Sequence, residues 1–242
     1  HVVRLSSASA YFKGVSLRKI AHHIEQFYGL KVAHTTLYNW IKRYTKLIEA
    51  YVEKLEPKLS AIWHVDEMKA KADGKWVWLW NMMDEETRFL LTSMITKKRD
   101  ISDARKVFQK AKGVAKGKPE VVVSDGLPAY IKAFNKEFFT LRNPRTKHIR
   151  MPQFTDPVNN NIVERLQGTI RERDKVLGGM DGEITGQDLI NGLRVYYNFI
   201  RPHMSLNGKT PAEEAGIDLN LKGNKWLSLI EKAYNNRNEQ SH

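Results

Sequence analysis

The sequence contains no cysteine, no long apolar run and fewer acidic than basic residues. Without cysteine, the 242-residue chain has no disulfide, no thiolate zinc site and no cysteine nucleophile, which fits a reducing compartment. No apolar run approaches the roughly 20 residues that span a bilayer. Because Tyr11-Phe12-Lys13 interrupts the N-terminal region, we expect no secretory signal and a cytoplasmic, nucleoid-associated location.

The charge balance points to a polyanionic partner. The chain carries 40 Lys and Arg against 27 Asp and Glu, a formal net charge of +13, which suits nucleic acid or an anionic membrane surface. Nucleic acid is the better expectation because no segment suits a membrane. Many basic proteins bind no DNA, however, so this interpretation needs a motif to support it.

The first 57 residues show a helical pattern in two parts. The first helix follows Ser16 as N-cap, and Gly29 lies in the break after it. The second helix is expected to start with Thr35 or Thr36 as its cap. Helix, glycine-containing turn and helix form the pattern of a helix-turn-helix, although a plain hairpin used for packing or dimerisation has the same pattern. In a helix-turn-helix, the second helix enters the major groove, which makes these residues candidates for DNA contact: Thr35, Thr36, Tyr38, Asn39, Lys42 and Arg43.

From residue 60 onwards, the pattern predicts an α/β fold. Three neighbouring strands are expected at 62–65, 76–83 and 89–95, with turns at 72–74 and 84–86. Helix, strand, helix, strand and helix follow at about 101–112, 121–123, 128–137, 148–151 and 158–176, with a basic stretch at 142–150 before the last strand. Further helices are expected at 187–200 and 221–233. This order indicates a mixed sheet flanked by helices.

The second strand is rich in tryptophan. Trp76, Trp78 and Trp80 share one face, and Val77 and Leu79 share the other. We therefore expect this strand to be covered on both sides, with the tryptophans in the core in preference to a stacking platform for nucleic acid.

Two acidic residues follow apolar strands. Asp66 is expected at the end of the first strand, although Glu67 competes for the site because strand neighbours point to opposite faces. Asp125 lies at a strand-to-helix turn, and ligands in α/β sheets bind outside the carboxyl ends of strands. Either aspartate is alternatively an ordinary turn or capping residue.

A third acidic residue, Glu164, lies within the long helix. The helical wheel places it with Asn160, Gln167, Gly168 and Arg171, opposite an apolar stripe. Arg171 lies two turns further along this face, about 10.5 Å away, where a cation suits a phosphate. Taken alone, Glu164 reads as a solvated surface residue.

Several motifs together resemble the DDE triad of insertion-sequence transposases with a retroviral-integrase-like, ribonuclease H-like core. They are Val65-Asp66-Glu67, Ser124-Asp125-Gly126, the segment 160–165 with Glu164, and Arg171. The segment 73–80 resembles the second strand of that core. Tyr197-Asn198-Phe199-Ile200-Arg201-Pro202-His203 and 208–213 resemble its C-terminal signature, in which Arg201-Pro202-His203 organises the connection after the core and His203 is not a metal ligand. The likeness spans about residues 15–216.

The resemblance implies a function and a division of the chain. Asp66, Asp125 and Glu164 would hold two Mg²⁺ (or Mn²⁺) ions, and water or a 3′-hydroxyl would attack a phosphate in line, without a covalent enzyme intermediate. Arg171 would contact double-stranded transposon-end DNA, and the N-terminal helices would recognise the terminal repeats. The expected units are a helix-turn-helix region (1–57), a five-stranded catalytic core (58–216) and a helical tail (217–242). A homo-oligomer, at least a dimer, would hold two ends and the target.

Three other hypotheses remain open. A sequence-specific DNA-binding regulator would use the N-terminal helices and would tolerate Asp66→Asn. A ribonuclease H-like nuclease would share the carboxylates without strand transfer. A decayed or domesticated transposase would keep the fold without mobility, a hypothesis that the start at His1 leaves open.

Overall fold

The computed structural model describes residues 2–72, 74–141, 144–151, 161–177 and 183–239. Some positions used in the sequence-based predictions lie outside these residues. They are Asp73 of the hairpin turn, Arg142 at the start of the basic stretch, and the segment containing Val158 and Asn160, where the long helix was expected to begin.

The centre of the described part is a mixed five-stranded sheet in the order β3-β2-β1-β4-β5. β1, β2 and β3 are antiparallel neighbours along the chain. β4 runs parallel to β1, and β5 runs parallel to β4. The predicted α/β class is confirmed, and the strands are β1 (Ile62–Ala72), β2 (Lys75–Asp84), β3 (Leu90–Thr96), β4 (Val121–Asp125) and β5 (Lys147–Met151).

The hairpin of β1 and β2 extends past the rest of the sheet. β1 pairs with β4 only as far as Val65 but with β2 as far as Ala72. Beyond Val65 the hairpin has one buried face, which includes Met68, Ala70 and Ala72, and one exposed face. Alternation of side chains along a strand produces this division.

The expectation that β2 is covered on both sides is correct for one part of the strand and wrong for the other. Trp80 is fully buried and Trp78 is half-buried, whereas Trp76 is 63% exposed. Trp76 lies on the exposed face of the projecting hairpin, where β4 no longer runs beside β1. Only Trp80 therefore belongs to the core.

Helices cover both faces of the sheet. α4 (Ile101–Ala115) and α5 (Pro128–Phe138) pack against each other, and α4 packs on β2 and β3. α6 (Asn161–Leu177) packs on β1 and β2, and α7 (Glu183–Val195) packs on β3. Asp100 caps α4 by accepting hydrogen bonds from the backbone N–H groups of Ser102 and Asp103.

Before the sheet come α1 (Val2–Phe12), α2 (Leu17–Tyr28) and α3 (His34–Val52). Ser16 caps α2 as predicted, and Gly29 ends it with a φ of 64°, a conformation that favours glycine. The prediction that Thr35 or Thr36 caps α3 is wrong. Ala33 occupies the N-cap without a side-chain hydrogen bond, because the backbone becomes helical at His34 and both threonines fall in the first turn.

After α7, a π-helical turn (Tyr196–Ile200) continues the helix that was expected at 187–200. The Asn198 side chain accepts a hydrogen bond from Leu90 N–H and donates one to Leu90 C=O. The His203 ring lies against Tyr197, with its Nε2 3.3 Å from the Tyr197 carbonyl oxygen. The Asn198 bonds join the C-terminal signature to β3, whereas the His203 contact lies within the signature.

The remaining helices are a 3₁₀ turn (Met204–Leu206), α8 (Pro211–Glu214) and α9 (Lys225–Glu239). Thr210 and Glu213 form a reciprocal capping box at α8. α9 starts four residues later than predicted, because Asn224 accepts a hydrogen bond from Leu227 N–H. Phe12 of α1 stacks on Trp226 at 5.5 Å, so α1 packs against α9.

Candidate active site

Two predicted acidic residues meet where the parallel pairing of β1 and β4 ends. The last pair is Val65 with Ser124, and the next residues are Asp66 and Asp125. The expectation that Asp66 ends its strand is wrong, because β1 continues to Ala72 in the hairpin with β2. Asp66 is instead the first residue after the parallel pairing, so both carboxylates lie at one edge of the β1–β4 pair.

Glu67 joins these two aspartates. Carboxylate oxygens of Asp66, Glu67 and Asp125 all lie within 4.8 Å of one another. Glu67 is buried and accepts a hydrogen bond of 2.6 Å from Arg99 Nε and another from the Tyr130 hydroxyl. The Arg99 guanidinium also lies 3.6 Å from Asp125. Glu67 is thus bound to protein donors on the α5 side of the sheet.

Arg99 and Tyr130 are site residues that the sequence-based prediction missed. Arg99 ends a basic run after β3, and Tyr130 lies in the first turn of α5. Each is more than 30 positions from Glu67, at separations of 32 and 63 residues. A basic run and a helix tyrosine carry no local signal of this contact, which arises from the packing of α4 and α5 on the sheet.

α6 covers the opposite side of the site. Gln167 Nε2 donates a hydrogen bond of 2.9 Å to Asp66 Oδ2, and Val163, Leu166 and Ile170 bury the apolar face of the helix. Glu164 is exposed and one turn before Gln167. It lies outside the 4.8 Å cluster of the described acidic residues, although its charge acts on Asp66. Arg171 is exposed one turn after Gln167.

The crowded carboxylates change the acidity of Asp66. Burial, followed by the charges of Glu67 and Asp125, raises the pKa of Asp66 to about 7, and Glu164 adds a smaller contribution. Burial also raises the pKa of Glu67, against the lowering effect of its hydrogen bonds from Tyr130 and Arg99. Close, partly buried carboxylates of this kind are stabilised by a divalent cation with a preference for oxygen ligands.

The predicted DNA-contacting residues of α3 divide into two groups. Thr35, Asn39 and Arg43 are exposed and lie one turn apart on one face. Thr36 and Lys42 are half-buried, as is Tyr38. Lys42 Nζ forms an ion pair of 2.8 Å with Asp188 of α7. The exposed face of α3 is therefore formed by the first group, whereas Lys42 faces the packed side.

Comparison with known proteins identifies the family. A family profile described as a DDE domain matches residues 60–203, which include all five strands. The chain belongs to the DDE-domain family of insertion-sequence transposases. It is therefore a DNA transposase, a metal-dependent polynucleotidyl transferase, and the predicted family and activity are confirmed. Membership implies a divalent metal ion as cofactor and DNA as partner.

Two Staphylococcus aureus proteins show the same likeness to this transposase. The transposase for the insertion sequence-like element IS431mec is 25% identical over 194 residues, covering 79% of this chain and 82% of the relative. The transposase for the insertion sequence element IS257 in transposon Tn4003 has the same identity and coverage. The matched region extends beyond the 144 residues that the family profile covers.

One solved structure shares the fold of this transposase. A chain of the simian T-cell lymphotropic virus intasome in complex with PP2A regulatory subunit B56 gamma has a TM-score of 0.50 at 14% identity, covering 86% of this chain and 74% of that one. The HTLV-2 integrase catalytic core domain in complex with magnesium has a TM-score of 0.47 at 18% identity, covering 66% and 98%. The match to the intasome chain, together with the mixed five-stranded sheet, confirms the predicted ribonuclease H-like fold. Among the described helices, none has the length and apolar character needed to cross a membrane.

Proposed function

We propose that Asp66, Asp125 and Glu164 are the catalytic residues, that they hold two Mg²⁺ (or Mn²⁺) ions, and that the enzyme cleaves and joins DNA at the ends of its transposon. The observation that carries this proposal is the Gln167–Asp66 hydrogen bond of 2.9 Å. It fixes the α6 face that bears Glu164 next to the strand edge that bears Asp66 and Asp125.

The residues fit a divalent metal by their chemistry. Carboxylate oxygens are the ligands that Mg²⁺ prefers. Here burial, together with the nearby charges of Glu67 and Asp125, raises the pKa of Asp66 to about 7. Two such ions, when bound, stabilise the attacking and the leaving oxygen of an in-line displacement. A bound cation would offset the repulsion between Asp66 and the neighbouring carboxylates and so favour the ionised form of Asp66.

The surrounding side chains orient these ligands. Gln167 holds Asp66 from the α6 side, and Arg99, anchored on Glu67, lies 3.6 Å from Asp125. Glu67 is assigned to this positioning role because Arg99 and Tyr130 already donate to its carboxylate. The attacking group is water or a 3′-hydroxyl. Its oxygen bonds to phosphorus and loses its proton while the bond from phosphorus to the leaving DNA oxygen breaks, so the phosphoryl group passes directly to the attacking oxygen without a bond to the protein.

DNA contacts extend from the site along two surfaces. Arg171, exposed on α6 beyond Gln167, binds a phosphate of the transposon end. Helices α2 and α3 act as the helix-turn-helix, with Thr35, Asn39 and Arg43 directed to the bases and Thr36 and Lys42 at the margin. The functional units are residues 1–57 for end recognition, 58–216 for catalysis and 217–242 as a helical tail.

The enzyme works as a homo-oligomer, at least a dimer, on double-stranded DNA. Transposition acts on two ends and a target, so two active sites must be held together, and a symmetric assembly of identical chains meets this need. The formal charge of +13 suits an assembly that binds several DNA segments. Its substrate places the enzyme in the cytoplasm at the nucleoid.

A strand-transfer assay tests this function. Purified enzyme with Mg²⁺ is mixed with a labelled duplex that carries the inverted repeats flanking its gene, together with a target plasmid. We expect cleavage at the repeat and joining to the plasmid. Asp66→Asn, Asp125→Asn and Glu164→Gln should abolish both reactions, while Glu67→Gln, the matched neighbour, should retain metal-dependent cleavage.

Each contrary result of this assay has a distinct meaning. Full activity of Glu164→Gln, or cleavage without metal, would refute the assigned site. Cleavage without joining would indicate a nuclease. Binding without cleavage, unchanged by Asp66→Asn, would indicate a regulator. Circular dichroism of each variant establishes that the fold is intact.

A further inference from the structure

A row of alternating cations and aromatic rings runs along the exposed face of the β1–β2 hairpin. The Lys71 ammonium lies 5.0 Å from the centre of the Trp76 ring. The Lys69 ammonium lies 5.9 Å from Trp76 and 5.4 Å from Trp78. The Arg99 guanidinium lies 4.6 Å from Trp78. All four distances fall within the range of cation–π attraction. We refer to Arg99, Trp78, Lys69, Trp76 and Lys71 as the hairpin ladder.

The strand register produces this ladder. Lys69 pairs with Trp78 and Lys71 pairs with Trp76 across the antiparallel hairpin, so all four side chains share a face. The two lysines lie two residues apart, about 7 Å along the strand. Lys69 and Lys71 are exposed, and neither forms an ion pair with an acidic residue in the described part of the chain.

The ladder begins at the active site. Its first member, Arg99, contacts Glu67 and lies 3.6 Å from Asp125. From there the row continues through Trp78 to Trp76 near the tip of the hairpin. A strand of DNA with one phosphate at the carboxylates therefore has a row of cations directly beside it.

We propose that the hairpin ladder is a binding track for the phosphate backbone of the DNA strand that continues from the reacting phosphate. Lys69 and Lys71 contact successive phosphates, and the tryptophan rings hold the two ammonium groups in line. The proposal rests on the proposed function, because the carboxylates determine where the strand begins. It adds a contact surface separate from α3 and Arg171.

Charge and exposure favour DNA as the occupant of this face. A tryptophan that is 63% exposed and lies under two lysines is unsuited to the apolar centre of a protein interface, where charged residues are depleted. Cations ordered by aromatic rings instead suit a polyanion, since the rings reduce the freedom of the lysine side chains without neutralising them. These contacts read no base, so the track is independent of DNA sequence.

Salt dependence of DNA binding tests the ladder. Fluorescence anisotropy with a labelled duplex, in EDTA to prevent cleavage, gives the affinity of the full chain over a series of NaCl concentrations. Loss of two phosphate contacts in Lys69→Gln/Lys71→Gln should reduce the magnitude of the negative slope of log affinity against log salt by about 1.8. The matched double variant Lys222→Gln/Lys232→Gln, which removes the same charge from the C-terminal region, should leave the slope unchanged.

The ring at position 76 gives a second test. Trp76→Ala keeps both lysines but removes the ring that orders their ammonium groups, so DNA binding should weaken. Trp76→Phe, which keeps an aromatic ring, should bind DNA more tightly than Trp76→Ala. Equal slopes for wild type and Lys69→Gln/Lys71→Gln would overturn the proposal. A change of oligomeric state in sedimentation, without a change of slope, would also overturn it, in favour of a second copy of the chain. Failure of the proposed function would appear separately, as cleavage that survives Asp66→Asn.

Discussion

Gln167 and Asp66, separated by 101 positions in the sequence, are joined by a hydrogen bond of 2.9 Å from the Gln167 amide to Asp66 Oδ2. The bond connects α6 with the strand edge that carries the two aspartates. It leaves Asp66 Oδ1 to accept from the backbone N–H of Glu67. Both oxygens of the carboxylate therefore have a fixed direction, and α6 has a fixed rotation relative to the sheet.

Loss of this bond should weaken metal binding. Gln167→Ala removes one of the two hydrogen bonds that orient the Asp66 carboxylate, and removal of a partner that orients a metal ligand typically costs about 10–100-fold in metal affinity or activity. Isothermal titration calorimetry with Mg²⁺ measures the affinity. Glu172→Gln, an exposed position on the same helix, is the matched control. Wild-type affinity in Gln167→Ala would show that the amide does not orient Asp66.

Metal binding should depend on pH through Asp66. Its pKa of about 7 means that Mg²⁺ competes with a proton below pH 7, so the apparent affinity should fall about tenfold for each further pH unit. Calorimetry between about pH 5.5 and 8 in two buffers of different ionisation enthalpy counts the released proton. Asp218→Asn, in an exposed turn, should preserve the profile. A flat profile in wild type would refute the raised pKa.

The stability of the metal-free protein should change in the opposite direction. A carboxyl group whose folded pKa is raised from 3.8 to about 7 stabilises the fold at low pH, and this contribution is lost as the pH rises through about 7. Asp66→Asn should remove this loss in urea unfolding between about pH 6.5 and 8. His148 and His203, whose pKa values burial lowers to about 4, destabilise the fold below pH 6.5, so the comparison is made above it. An identical pH dependence in wild type and Asp66→Asn would contradict the prediction.

Asn198 should be important for stability. Its amide satisfies both the N–H and the C=O of Leu90 inside the protein. Asn198→Ala leaves two buried backbone groups without a partner, at about 1–3 kcal/mol each in the free energy of unfolding. Urea unfolding measures this loss, with Asn135→Ala, at an exposed position of α5, as control. A loss below about 1 kcal/mol would mean that water replaces the amide.

The exposed face of α3 should determine recognition of the transposon ends. Asn39→Ala and Arg43→Ala should each reduce the preference for the end sequence over a scrambled duplex, by about 1–3 kcal/mol for a good base contact. Lys42→Ala should have a smaller effect, since Lys42 is paired with Asp188 at 2.8 Å. Competition binding measures the preference. Equal losses from Lys42→Ala and Arg43→Ala would show that α3 enters DNA by another face.

Much of the fold follows from local patterns. Period-two runs marked β1 to β3, an apolar run marked β4, and helical spacing marked α4, α5 and α6, because side chains of one face must be buried together. The ends of elements were less predictable. The local preference of threonine for the N-cap predicts Thr35 or Thr36 at the start of α3. In the structure the helix begins earlier, and Ala33 is its N-cap.

Asp66, Asp125 and Glu164 were identified from the sequence as acidic residues on two strands and one helix, and the family likeness grouped them. The side chains that contact these three residues could not be predicted from the sequence. The pairing of Glu67 with Arg99 and Tyr130, and of Asp66 with Gln167, joins residues between 32 and 101 positions apart. Such contacts depend on how helices pack on the sheet, which no local pattern encodes.

The exposed tryptophan shows the same division between sequence and structure. Strand periodicity is enough to predict that Trp76, Trp78 and Trp80 share a face, because alternation along a strand is a property of the backbone. Which of the three is buried depends on the assembled sheet, because β1 stops pairing with β4 at Val65 while the hairpin continues. Burial depends on the neighbours that surround a strand, and those neighbours come from distant parts of the chain.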